Sequence, residues 1–405
     1  MATAGEIEAT WASHATYLRD AVANYADYQH SRLETAYRRP TTPYMGLYWY
    51  DVEDSAVFHG READLANLLH DHLFGPRDIS RVTVLHGLSG VGKTSLMMAG
   101  LGAALLQGGH MILPVRLSSA PLRTAFQTVL MHGPTDAYRP DYSTMSLHDF
   151  LQIVTLDLSG GELVVLLDQF EELFLELTPD RWQPFVESMA DCIEDVGLPV
   201  RFVIAVRDEY LYTLSALKPY VPTIFHNVYH LKPLSGDALQ RAILAPAKTF
   251  SLHVEHSLMA ALLEDLAKMD STLHVEGPSS TLLVQIACHD LYLRRKHSDL
   301  TLETYEDLGR LPGIREKYLT RRMQALDDEN VGWALLGEFV SPHRTHRPLA
   351  YETISSRMIH RATVSELDDM LNQLTEAHLL RRRRQNDEVL YDIAHEFMIE
   401  LIIAH

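Results

Sequence analysis

Gly87-Leu88-Ser89-Gly90-Val91-Gly92-Lys93-Thr94 constrains the fold more than any other stretch of the chain. It fits the pattern G-x-x-x-x-G-K-[ST], the Walker A loop, and stands between an apolar run, RVTVLH at 81–86, and a helical run, TSLMMAGLGAALL. The residue types have physical reasons. Glycines permit the positive-φ turns that aim successive backbone N–H groups at phosphate oxygens, Lys93 reaches the β- and γ-phosphates, and the Thr94 hydroxyl is suited to Mg²⁺. Gly87, Ser89, Gly90, Val91, Gly92, Lys93, Thr94 and Ser95 are therefore candidate nucleotide-binding residues, with a nucleoside di- or triphosphate as ligand.

The surrounding pattern agrees. From about 60 to 232, helical stretches alternate with short apolar runs: RVTVLH, MILPVRL (111–117), LVVLLD (163–168), RFVIAVR (201–207) and the weaker HNVYHL (226–231). Such runs predict a parallel sheet covered on both faces. After Pro233 no further strand is expected until the C-terminal region, and 235–247, 256–268, 278–296 and 311–326 read as helices. Helical runs at 329–340, 351–359 and 364–377 precede LLRRRR, a turn, EVLYDIAH and a last helix from Glu396, the order of a winged helix. Residues 1–38 read as one helix with Trp11, Leu18, Val22, Tyr25, Gln29 and Leu33 on a single stripe, which must pack on something. The expected organisation is an N-terminal helical segment (1–45), a nucleotide-binding core (46–232), an all-helical unit (233–327) and a winged helix (328–405).

A second element answers the phosphate loop. Leu163 to Asp168 is an apolar strand ending in a carboxylate, the Walker B arrangement, which places Asp168 beside Thr94 as the second Mg²⁺ ligand. Many ATPases of this class carry a glutamate next, where it polarises the attacking water; here the residue is Gln169, which cannot act as a base. Glu171 or Glu172 could reach from the next turn, or could simply complement a helix start. Slow hydrolysis is expected. Arg207 ends the strand RFVIAVR at the edge where ligands bind, and is either a γ-phosphate contact or a surface arginine paired with Asp208 or Glu209.

Composition narrows the partners. Against 35 Lys and Arg stand 54 Asp and Glu, a formal charge of −19, which repels nucleic acid and anionic membrane over most of the surface. Cys192 and Cys288 lie in apolar segments without metal-ligand spacing, so both are expected to be reduced core thiols and a structural zinc is not expected. No apolar run approaches a membrane span and the N-terminus lacks signal-peptide features, which predicts a cytoplasmic protein. For the 22 histidines, scattered surface positions are the better account than a metal site.

Combined with Walker A, with LLDQFEELF (166–174) and with the Arg207 strand, the box Phe58-His59-Gly60-Arg61-Glu62 resembles the STAND class of P-loop ATPases, most of all the bacterial novel STAND subfamily. Further matches are Leu234…Ala242-Ile243…Pro246-Ala247, LLVQIACHDLY (282–292) and Ile393-Ala394-His395-Glu396, so that the resemblance covers about 44 to 404. It implies an α/β fold: a parallel-sheet P-loop NTPase core followed by an all-helical lid domain and a winged-helix domain. It also implies that Gly60 and Arg61 cover adenine and ribose, and that a lid proline, Pro246 or Pro278, lies over the base. His395 would sense the ADP β-phosphate, unless it merely caps its own helix. The implied activity is an ATP/ADP switch with weak Mg²⁺-dependent hydrolysis, closed with ADP, open and homo-oligomeric with ATP, and serving signalling such as bacterial defence or programmed cell death. Effector and sensor parts, usual in the family, would be partner proteins or missing fused domains. The alternative reading is an initiator-like or loader-like ATPase that sets Arg381 to Arg384 of its winged helix on duplex phosphates.

Overall fold

The computed structural model describes residues 4–38, 41–75, 81–116, 121–134, 145–156, 158, 160–272, 280–341, 347–377, 379–385, 388–393 and 397–405. The chain divides into two compact units, Met1–Thr41 with Trp49–Ala242, and Thr42–Tyr48 with Ile243–His405.

The first unit is built on a five-stranded sheet, β1 (Val82–Gly87), β2 (Met111–Arg116), β3 (Leu163–Asp168), β4 (Val200–Arg207) and β5 (Val228–His230), in the order β2-β3-β4-β1-β5. Every pairing is parallel. Both faces are apolar because both are covered: Val82, Val84, Val165 and Ile204 belong to one buried cluster, while Leu85, Val164, Leu166 and Val203 belong to another. The strands expected from the apolar runs are therefore all present, each within one residue of its predicted ends except the shorter β5, which starts two residues later than expected.

Ahead of the sheet runs α1 (Ala4–Arg38), and its apolar stripe packs on its own unit. Leu18, Val22, Tyr25 and Gln29 are buried and Leu33 packs against the second cluster; the side chain of Trp11 lies outside the described residues. Gln29 Nε2 donates to the Ile112 carbonyl and Gln29 Oε1 accepts from the Ile112 N–H at 3.3 Å, while Tyr25 Oη donates to the same carbonyl at 3.1 Å. Because β2 is an edge strand, α1 thus occupies hydrogen-bonding positions that a further strand would otherwise take.

The second unit carries helices at His256–Thr272, Ser280–Arg294, Leu302–Asp307 and Arg310–Met323, following Gly236–Thr249, which begins in the first unit. The expectation of no strand here needs correction: β6 (His253–Val254) and β7 (Asp299–Leu300) form a short parallel pair. Two residues are too few to give a periodic pattern. Next come helices Glu329–Glu338, Tyr351–Met358 and Val364–Glu376, the last opened by a capping box of Thr363 and Glu366. The strands β8 (Leu349–Ala350), β9 (Leu380–Gln385) and β10 (Glu388–Ile393) pair antiparallel in the order β8-β10-β9, and Phe397–Ala404 closes the chain. The fold class is the expected one: a parallel-sheet P-loop core followed by a helical lid and a winged-helix arrangement.

Cys192 and Cys288 are free and buried, and burial pushes both thiols up to about 12. Among the described residues no helix is long and apolar enough to cross a membrane.

Candidate functional site

The phosphate loop leaves β1 at Gly87, where close packing excludes a side chain: a Cβ there would stand 2.6 Å from the Leu231 carbonyl oxygen. Gly90 (φ +71°) and Gly92 (φ +100°) take the left-handed conformations that the loop requires. The chain then enters the helix 93–107, whose middle, Leu96–Gly102, is wound with wider turns than an α-helix. Lys93 Nζ donates to the carbonyls of Gly87 (2.7 Å) and Leu88 (3.0 Å), folding the ammonium back over its own loop. Burial lowers its pKa, against the pull of Glu171 and Asp168.

The strand order brings the other groups to this loop. β4 lies between β1 and β3, and its last residue, Arg207, stands in register with Gly87. Asp168 ends β3 on the far side of β4, and Thr94 Oγ1 donates to Asp168 Oδ2 at 2.9 Å. Past Asp168 the backbone turns sharply: Gln169 adopts φ +54°, and the Phe170 N–H returns to the Ala205 carbonyl on β4 at 2.9 Å. That turn buries Glu171, 1% exposed, beside β4, where Arg207 Nε meets Glu171 Oε1 at 3.0 Å. Arg207 is thus largely buried, its side chain 13% exposed, with Glu171 as one partner. Glu171 Oε2 has no hydrogen-bond partner among the described residues, and burial raises the carboxyl to about 7 despite the opposing pull of Arg207 and Lys93. Glu172 is buried as well, one residue further on.

Arg61 is 5% exposed and committed to the fold: Nη2 donates to the Val91 carbonyl (2.7 Å), and Nη1 to the Lys232 carbonyl (2.8 Å) and Asp64 Oδ2 (2.9 Å). Its contacts hold the phosphate loop in place. Gly60 (φ +89°) approaches the Ala238 carbonyl so closely that a Cβ would lie at 2.4 Å, and its N–H is capped by Glu62 Oε1 at 2.9 Å. Ser95 Oγ accepts from the Tyr50 N–H at 3.1 Å, Val91 is fully buried, and Ser89 is half-buried at the loop's turn. Pro246 belongs to the second unit, buried within helix Gly236–Thr249. His395 and Pro278 lie outside the described residues.

One constellation was not foreseen, and it corrects the reading of the histidines as scattered. His86 on β1, His230 on β5 and Asp208 after β4 converge, with His86 Nδ1 at 2.7 Å and His230 Nε2 at 3.4 Å from the Asp208 carboxylate. These residues are more than a hundred positions apart or in strands whose register the sequence does not state; an alternation of polar histidines at two apolar strand ends was the available signal.

A parallel sheet with a glycine-built phosphate loop, its lysine, a hydroxyl–carboxylate pair and an edge arginine defines a P-loop nucleotide-binding protein. The family model described as Novel STAND NTPase 1 matches residues 43–401, and the chain belongs to that family of nucleotide-binding NTPases. Among solved structures it is similar to the Aeropyrum pernix ORC1 protein in complex with DNA, at 15% identity and TM-score 0.42, over 86% of this chain and 93% of that one. It is also similar to the Aeropyrum pernix ORC2 protein in its ADPNP–ADP complexes (15%, TM-score 0.42, 85% and 94%). A third is Cdc6p from Pyrobaculum aerophilum (14%, TM-score 0.38, 85% and 93%). No curated protein sequence matches the chain.

Proposed function

We propose that the protein is an adenine-nucleotide switch whose ATPase activity is weak and Mg²⁺-dependent. The observation that carries this reading is the ion pair between Arg207 and buried Glu171. Gln169 has no basic group, so Glu171 is the carboxylate placed to accept a proton from water, and it is engaged by the arginine that would otherwise contact the γ-phosphate. Hydrolysis then waits for Arg207 to exchange Glu171 for phosphate, which makes turnover slow and tied to a rearrangement.

Thr94 Oγ1 and Asp168 Oδ2 are adjacent hard oxygen donors of the kind Mg²⁺ takes, and these two residues would hold it. A bound Mg²⁺ supplies charge neutralisation at the phosphates. Lys93 has to leave the Gly87 and Leu88 carbonyls to pair with phosphate oxygens, and Arg61 keeps Val91 and the loop aligned while it does so. In this reading ADP favours a closed state, with His395 on the β-phosphate and Pro246 or Pro278 at the base, and ATP favours an open state that self-associates and signals through partner proteins, as in bacterial defence or programmed cell death. Nucleic acid is not a partner in this reading, because any strand turns successive side chains to opposite faces and the charge of −19 opposes the arginine run.

The test is steady-state turnover with Mg²⁺-ATP alongside nucleotide titration. Turnover below about 10 s⁻¹, the enzyme median, is expected. Lys93→Ala should abolish nucleotide binding, whereas Glu171→Gln should lower turnover roughly tenfold or more, within the range of general-base losses, and leave nucleotide affinity unchanged. Full turnover in Glu171→Gln would remove the base assignment.

A further inference from the structure

His86, Asp208 and His230 are the one group of three or more histidine, cysteine or carboxylate side chains among the described residues whose donor atoms converge, all within 4.8 Å of one another. The arrangement follows from the sheet. His86 and His230 are direct partners in the parallel register of β1 and β5, and their rings lie face to face, 4.5 Å apart and 5° from parallel. Asp208, the residue after β4, reaches across from the other side of β1 and places one carboxylate oxygen at each imidazole, 2.7 Å from His86 Nδ1 and 3.4 Å from His230 Nε2. Neither imidazole has any other polar contact with the described residues. The register accounts for the stacking of the two rings; what it leaves over is that both histidines turn a nitrogen to the same carboxylate.

We propose that these residues bind a divalent transition-metal cation of the zinc class, at a site separate from the Thr94 and Asp168 pair. Two imidazole nitrogens and one carboxylate oxygen suit Zn²⁺, Co²⁺ or Ni²⁺, whereas Mg²⁺ and Ca²⁺ take oxygen donors. Bonds of about 2.0–2.1 Å place tetrahedral ligands roughly 3.4 Å apart; the His230–Asp208 spacing of 3.4 Å matches that value, while the 2.7 Å His86–Asp208 contact has to open, and one of the two parallel rings has to turn, as the cation enters. Side-chain exposure rises from 15% at His86 through 29% at Asp208 to 47% at His230, so the group opens to solvent on the β5 side and leaves room for a water as fourth ligand. Because His86 precedes Gly87 and Asp208 follows Arg207, a cation here ties together the ends of β4, β1 and β5 next to the phosphate loop.

The experiment is a titration of the full chain, without affinity tag or nucleotide and with excess Mg²⁺ to fill oxygen sites, using Co²⁺ and its visible absorbance. One Co²⁺ per chain is expected, displaced by Zn²⁺ and not by Mg²⁺, with Zn²⁺ raising the Tm. His230→Ala, at the exposed end of the group, and Asp208→Asn should each weaken binding by roughly tenfold or more, since loss of even an outer-shell partner costs about that much. His230→Cys should restore it and add thiolate-to-cobalt absorbance, which separates ligand loss from misfolding. Absence of the cobalt absorbance, or equal affinity in His230→Ala and the parent chain, would overturn the site.

Discussion

Glu171 stands in an environment that a carboxylate does not prefer: it is 1% exposed, with one oxygen on Arg207 and the other without a partner among the described residues. Burial raises it to about 7 from an ordinary 4.5, and this sets a pH dependence with a definite sign. Between those values the native chain keeps a proton that the unfolded chain has lost, so stability is full below about pH 4.5 and falls as pH rises through about 7. The loss is of order 3 kcal/mol. Glu171→Gln removes it. The melting temperature of nucleotide-free Glu171→Gln relative to the parent chain should therefore increase from pH 5 to pH 8, and a difference that is flat with pH would show that Glu171 does not titrate in this window. At this scale the sequence disclosed residue types and missed their pairings. The phosphate loop and Asp168 could be read because their spacing is local, running from a strand into its own helix or ending a strand. The Arg207–Glu171 pair and the His86–Asp208–His230 group depend on which strand lies beside which, and β4 between β1 and β3 is a fact of topology that no local spacing encodes.

Among the elements, α1 makes the most specific commitment. Its apolar stripe was visible at helical spacing, but the target was not, because a stripe says that a face is buried and not against what. The polar member of that stripe turned out to be the informative one. Gln29 sits buried among apolar neighbours with both ends of its amide on the peptide of Ile112, so it serves as a partner for the exposed edge of β2. Gln29→Leu fills similar volume and leaves the Ile112 N–H without that acceptor. It should cost about 1–3 kcal/mol, the desolvation penalty of an orphaned backbone group, read as a lower denaturation midpoint. Gln29→Glu keeps an acceptor for the N–H but puts a carboxylate against the Ile112 carbonyl, and should be at least as destabilising. If Gln29→Leu is neutral, α1 is held by its apolar contacts alone. The central strands were legible for the converse reason: each is a continuous apolar run because both sheet faces are covered. β6, β7 and β8 were not, since two residues paired by neighbours distant in sequence leave no pattern to read.

For the whole molecule the formal charge of −19 separates self-association from binding to duplex DNA, because the two respond to salt in opposite directions. Two like copies brought into contact repel over a Debye length of about 30 Å at 0.01 M salt and only about 8 Å at 0.15 M, so added salt favours assembly. Binding of DNA through β9 would behave in the opposite way. A strand turns successive side chains to opposite faces, so of a four-arginine run roughly two can face one duplex, and two phosphate contacts give a slope near −1.8 in log affinity against log salt. Raising salt from 50 to 250 mM would then weaken such a complex about 20-fold. The switch reading therefore expects the mass of the protein with Mg²⁺ and a slowly hydrolysed ATP analogue to increase with salt over that range, to remain that of a single chain with ADP, and to be indifferent to added duplex. An assembly that dissolves as salt rises, or that forms only when DNA is present, would transfer the winged-helix unit from partner in a protein assembly to reader of phosphate backbone, and would make the arginine run its working surface.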